Sequence, residues 1–193
     1  WGGGWLASIG FSDFAGSTLV HSTGGAAALA GIMILGPRFG RFDSKGLPKA
    51  IQPFAASSIP LVTIGVFVLW LGWFGFNGGS QLALGSFTDA VAISSIFINT
   101  NLAACGGVLA AAIITRLLFS KTDVVQMLNG AIGGLVAITA EPLAPSPLAA
   151  IVIGAIGGVI VVFGTKLLFT FKLDDVVGAI PAHMFAGIFG TLV

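Results

Sequence analysis

The chain has 193 residues, of which 56% are hydrophobic and 8% charged, with 29 glycines, one cysteine and a formal net charge of +1. A soluble domain carries about 25% charged residues and could not hide this much apolar surface from water. A soluble protein is therefore excluded and a polytopic membrane protein indicated; the near-zero charge argues against a nucleic-acid partner, and the lone Cys105 rules out an intrachain disulfide.

A membrane-crossing helix needs about 20 mainly apolar residues, and the sequence predicts six, together forming one transmembrane unit over 1–193. The chain opens WGGGW, with no initiator methionine, basic leader or cleavage site, and stops inside an apolar run, which reads as a piece of a longer protein. The first expected span, 13–35, is followed by a connection holding Arg38, Arg41, Lys45 and Lys49. The second, 53–80, ends in WLGWFGFNGGS. Its aromatics read either as an interfacial belt or as a cation vestibule, because ring faces attract cations. Spacings of three and four residues are expected to set Phe76, Asn77 and Ser80 on one helix face.

The third span, 91–118, contains NTNLAACGG and the fourth, 124–140, LNGAIGGLVAITAEP. Both read as small-residue packing faces in which Asn99, Asn101 and Asn129 bond across helices. The fifth and sixth spans are expected at 147–168 and 175–193. All eight basic residues fall in alternate connections or in the span ends that border them, the remaining four being Arg116, Lys121, Lys166 and Lys172, whereas the intervening connections hold Asp89 and Glu141. The positive-inside rule makes the basic connections cytoplasmic, so the first span enters from outside and the sixth from the cytoplasm.

One pattern links those two spans. DFAGSTLVHSTGG at 13–25 and DVVGAIPAHMFAG at 175–187 both fit D-x-x-G-x-x-x-x-H-x-x-x-G, and His21 and His183 are the only histidines in the chain. Eight helical residues rise about 12 Å against a half-core of about 15 Å, so the two imidazoles are expected near the midplane, approached from opposite faces. A motif repeated in antiparallel helices is the mark of an inverted repeat with its site at midplane, and intramembrane ionisable residues point to function. The pair could share a proton along a narrow path for a small polar solute or ligate a haem. A metal site lacks supporting Cys, Asp or Glu ligands at that depth. Asp13 and Asp175 read as helix caps, Asp13 with an added electrostatic role.

With these residues in view, the chain resembles the Amt/Rh ammonium transporter family, and its bacterial Amt branch above all. The resemblance rests on WGGGWLAS, DFAGSTLVH, WLGWFGFNGGS, NTNLAACGG, LNGAIGGLVAITAEP and DDVVGAIPAHMFAGIFGTL. It implies an all-α fold of eleven spans in inverted halves, of which this chain supplies about the fifth to the tenth, and a homotrimer in the cell (inner) membrane with one pore per subunit. It also implies that the protein is not an enzyme, takes ammonium or ammonia as substrate without a cofactor, lies among membrane lipid and, at full length, meets a PII-type regulator. By the same resemblance His21 and His183 are the pore pair, Trp1, Ser80 and Phe76 belong to external ammonium recognition and gating, and Asp13 is structural or electrostatic. An Rh-like gas channel, an ammonium-sensing domain and a haem subunit are the alternatives.

Overall fold

A computed structural model describes residues 3–42 and 55–193. A short turn of helix, α1 (Trp5–Ser8), precedes α2 (Ser17–Leu35), α3 (Ile59–Gly79), α4 (Phe87–Phe119), α5 (Val124–Ile138), α6 (Pro147–Thr170) and α7 (Ile180–Leu192). The result is the all-α polytopic bundle expected from composition. Helices α2, α3, α4 and α6 are long and apolar enough to cross a membrane, while α5 and α7 are shorter apolar helices.

Caps set where the helices begin. Ser58 Oγ accepts the Leu61 N–H at 3.4 Å, Asp123 accepts from Gln126 at 3.1 Å, and Ser146 accepts from Ala149 at 3.3 Å beside Pro147. Ser86 and Asp89 form a reciprocal capping box. Helix α4 therefore starts four residues before the expected 91, and Asp89, expected in a connection, lies in its first turn. At 33 residues α4 is about 50 Å long, more than a hydrocarbon core of about 30 Å, so it must tilt or project.

Helices α4, α5 and α6 pack as a tight unit around α5, whose residues 130–138 are all buried. Lipid supplies no hydrophobic drive for this, so close backbone approach must supply it. A Cβ at Gly154 would overlap the Ala103 carbonyl, and one at Gly107 would overlap the Gly130 carbonyl. Glycine at both positions is what lets the three helices meet. The α5 wall is the surface on which the histidine-bearing helices lean: Ser17 Oγ donates to the Val136 carbonyl, and Gly190 of α7 packs on Ala137.

Candidate functional site

Both copies of the repeated motif build the same object. Asp13 is buried, and its two carboxylate oxygens accept the N–H groups of Gly16, Ser17, Thr18 and Leu19 at 2.8–3.2 Å. Asp175 accepts those of Gly178, Ala179 and Ile180 at 2.7–3.0 Å. Each carboxylate thus satisfies the orphan donors of a helix start. The motif's first glycine turns the chain with positive φ, +110° at Gly16 and +78° at Gly178, a region closed to most L-residues. The helices consequently begin at Ser17 and Ile180, four and five residues after the aspartates where the spans were expected to start.

Each histidine lies in a π-helical opening turn, Ser17–Ser22 or Ile180–Phe185; such turns gather at functional sites. The final motif glycines mark the crossing of the two helices. A Cβ at Gly25 would meet Met184, the residue after His183, and one at Gly187 would meet Ser17 and Ser22, the latter being the residue after His21. Thr18 also hydrogen-bonds Thr191. As residue number rises along α2, that of its α7 neighbour falls, so the two helices run antiparallel.

At this crossing His21 Nδ1 and His183 Nδ1 stand 3.2 Å apart, with ring centroids at 5.2 Å and planes at 23°. The nitrogens contact each other directly. His21 Nε2 is buried without a hydrogen-bond partner among the described residues. Two aromatic rings of α3 pack against His21. Trp73 stacks on it at 4.8 Å and 16°, and Phe76 tilts against it at 5.4 Å and 44°.

The other expected site residues are distributed unevenly. Phe76 joins the histidines. Ser80, at the end of α3, donates its hydroxyl to the Phe76 carbonyl at 2.8 Å. Trp1 lies outside the described residues. Asn77 does not share the Phe76 face as expected: it is fully buried, donates to Thr100 Oγ1 at 3.0 Å and lies 3.2 Å from Thr139 Oγ1. Adjacent helical residues point about 100° apart, so one faces the aromatic cluster and the other the bundle. Asn99 binds the carbonyls of Pro142 and Pro145, and Asn129 that of Val177. Trp73 was not singled out by sequence reasoning, although its three-residue spacing from Phe76 was a usable signal.

Beside the capping Asp175, buried Asp174 binds the 36–42 connection. It accepts from Arg38 Nε at 2.7 Å, Nη2 at 2.9 Å and the Arg38 backbone N–H at 3.0 Å, with Arg41 Nε at 3.2 Å. The Arg38 hydrogen bonds hold the Asp174 carboxyl below the usual carboxylate range. The end of the His21 helix is thereby tied to the start of the His183 helix.

An all-α membrane bundle with a repeated, cap-built histidine pair at an antiparallel crossing defines a class of multi-pass membrane protein. Comparison with known proteins narrows it. The model of the Ammonium Transporter Family matches residues 1–193. Ammonium transporter Amt2 of Archaeoglobus fulgidus is 46% identical over 202 residues, covering 100% of this chain and 42% of the relative. The putative ammonium transporter sll1017 of Synechocystis is 46% identical, covering 98% of this chain and 42% of the relative. Among solved structures, a Sensor Amt Protein superposes with a TM-score of 0.91 at 38% identity, covering 98% of this chain and 45% of the other. Mep2 of Candida albicans superposes at 0.85 and 32%, covering 98% and 40%. The chain belongs to the ammonium transporter family, and it spans about two-fifths of the length of the curated relatives it matches.

Proposed function

We propose that this chain is the pore-bearing part of an ammonium transporter, in which His21 and His183 line the path of ammonia. The observation that carries the reading is the direct contact of two imidazoles at 3.2 Å, delivered by two antiparallel copies of one motif. When two neutral rings share one proton between their Nδ1 atoms, one ring keeps a lone pair at Nε2 and the other keeps an N–H there. The pair thus offers both an acceptor and a donor to a passing solute, and among the described residues none competes for His21 Nε2. Ammonia, itself donor and acceptor, suits that pair.

Ammonium entering a dry path meets a large desolvation cost. The faces of Phe76 and Trp1, with the Ser80 hydroxyl, would offset part of it outside the apolar stretch; a cation–π contact is worth roughly 0.5–2 kcal/mol. Loss of a proton to water at the mouth removes most of the remaining penalty, and potassium, which has no proton to lose, is rejected. The same reading takes the basic connections as cytoplasmic, the protein as a homotrimer in the cell (inner) membrane, and a PII-type protein as a candidate regulator at full length. A second reading, ammonium sensing through the same site, is favoured by the likeness to a Sensor Amt Protein. It differs in outcome: a sensor binds ammonium without a matching flux.

The test uses the full-length protein in liposomes. His21→Ala and His183→Ala should each lower ammonium-driven uptake or change its selectivity, and the double variant should be within about twofold of the worse single, because groups acting as one unit are not additive. Losses that simply multiply would separate the two rings and refute a shared site.

A further inference from the structure

We infer that Thr139 is a positioning residue for the histidine pair, acting through the Trp73 indole; this rests on the transport reading above. Thr139 caps the C-terminus of α5 and is fully buried. Its hydroxyl accepts the Trp73 Nε1–H at 2.8 Å. The same oxygen lies 2.7 Å from the Leu135 carbonyl and 3.2 Å from Asn77 Oδ1, so its own proton has an acceptor in either direction. Its backbone carbonyl accepts the Ala15 N–H at 3.0 Å, and the next carbonyl, of Ala140, accepts from Phe14 at 2.7 Å.

Those last two bonds fix the loop in which Asp13 caps the His21 helix. One residue therefore references two separate chains to a single point: the helix that carries His21, through its carbonyl, and the ring that stacks on His21, through its hydroxyl. Trp73 has two side-chain torsions, and stacking alone lets the indole slide or flip in its plane. The N–H bond to Thr139 removes that freedom. With the indole held, its face covers His21 at 4.8 Å, so water is excluded on that side and the imidazole keeps the orientation in which Nδ1 meets His183. The Thr139 hydroxyl bonds Trp73, Leu135 and Asn77 and neither imidazole, so its effect on transport runs through the Trp73 ring.

The experiment is a double-mutant cycle in the full-length protein, with ammonium uptake measured across a pH series. Thr139→Val removes the hydroxyl at nearly constant shape, and Trp73→Phe removes the N–H while leaving a ring. An unmade buried hydrogen bond justifies an expected loss of at least about fivefold in uptake for Thr139→Val, with Thr139→Ser close to wild type. Both single variants should move the pH dependence in the same direction. In the Trp73→Phe background Thr139→Val should add less than about twofold, since no N–H remains to be held. Losses that multiply, or a Thr139→Val protein at the wild-type rate, would overturn the proposal while leaving the histidine reading intact.

A second measurement does not depend on flux. The Trp73 indole N–H resonance, identified by its disappearance in Trp73→Phe, should exchange slowly with solvent in the wild type and in Thr139→Ser, and faster in Thr139→Val. Should Thr139→Val fail to assemble, Thr139→Ala removes the same hydroxyl. A wild-type protein that binds but moves no ammonium would sink the transport reading, and unchanged indole exchange in the hydroxyl-free variant would sink this one.

Discussion

Alanine at Gly25 should uncouple the two histidines, whereas alanine at the neighbouring Gly24 should not. The Cβ of an alanine at Gly25 would sit 2.6 Å from both the backbone N and the Cβ of Met184 and 2.9 Å from its Cα, while at Gly24 it would meet nothing within 4 Å. Backbone cannot rotate away as a flexible side chain can. Ordinary contact begins near 3.4 Å, so α2 and α7 must separate locally by about 1 Å in a close-packed interior. Overpacking of this kind costs about 1–3 kcal/mol. The same displacement would take the Nδ1–Nδ1 distance from 3.2 Å to about 4 Å, beyond hydrogen-bond reach. Gly25→Ala should therefore melt earlier and lose transport to about the level of His183→Ala, while Gly24→Ala, which gains helix propensity by roughly 0.5–1 kcal/mol, should melt no earlier and transport normally. Thermal unfolding in detergent and uptake in liposomes, on the full-length protein, measure both. A Gly25→Ala protein that transports like Gly24→Ala would refute the claim that this crossing sets the histidine contact.

Asp174→Asn should lower the melting temperature at neutral pH. Because the Asp174 carboxyl titrates below its ordinary value in the fold, its stabilisation is present above the unfolded carboxylate pKa and fades as pH falls through the folded one, so the gap between wild type and variant should close on acidification; a pH-independent gap would contradict the ion-pair account. For orientation, cysteines placed at Thr122 and at Ala144, both exposed in connections on either side of α5, in a background with Cys105 replaced, should label from opposite faces, Ala144 from outside. Equal labelling of both from outside would remove the assignment drawn from the basic connections.

Much of this architecture was legible because lipid imposes few options. Every backbone polar group must be satisfied within a helix or by a cap, so apolar length predicts helices and the polar residues at their ends predict boundaries. The boundaries that differ do so through local chemistry: Ser86 and Asp89 form a capping box three residues apart that starts α4 early, and Asp13, read as a cap, is followed by the turn at Gly16, which places the helix start after the glycine and not at the aspartate. The histidine pair could be found because the chain has only two and their contexts match. Trp73 and Thr139 were harder. A tryptophan near a span end has a belt explanation that needs no partner, and one threonine in a glycine-rich helix carries no pattern. Their partnership joins residues 66 positions apart, and only packing reveals it.

The four fixed letters of the motif now have separate physical jobs, and this bears on how such a site can stay precise in a fluid bilayer. The aspartate caps, the first glycine turns, the histidine meets its counterpart and the last glycine sets the distance to the other helix. The two glycines bring no charge or bulk to depth, which would be costly there, and each carboxylate is met by three or four backbone N–H groups. Each copy supplies half of the crossing, since Gly25 admits Met184 and Gly187 admits Ser17 and Ser22. A change in either copy is therefore felt at both rings. Beyond the crossing, the pair is held at each end: Phe14 and Ala15 bond to the carbonyls ending α5, and Arg38 is held by Asp174. The imidazoles meet at 3.2 Å because their helices are fixed before, at and after the point of contact. That arrangement meets the general requirement that working groups be carried by rigid elements and oriented by a supporting layer.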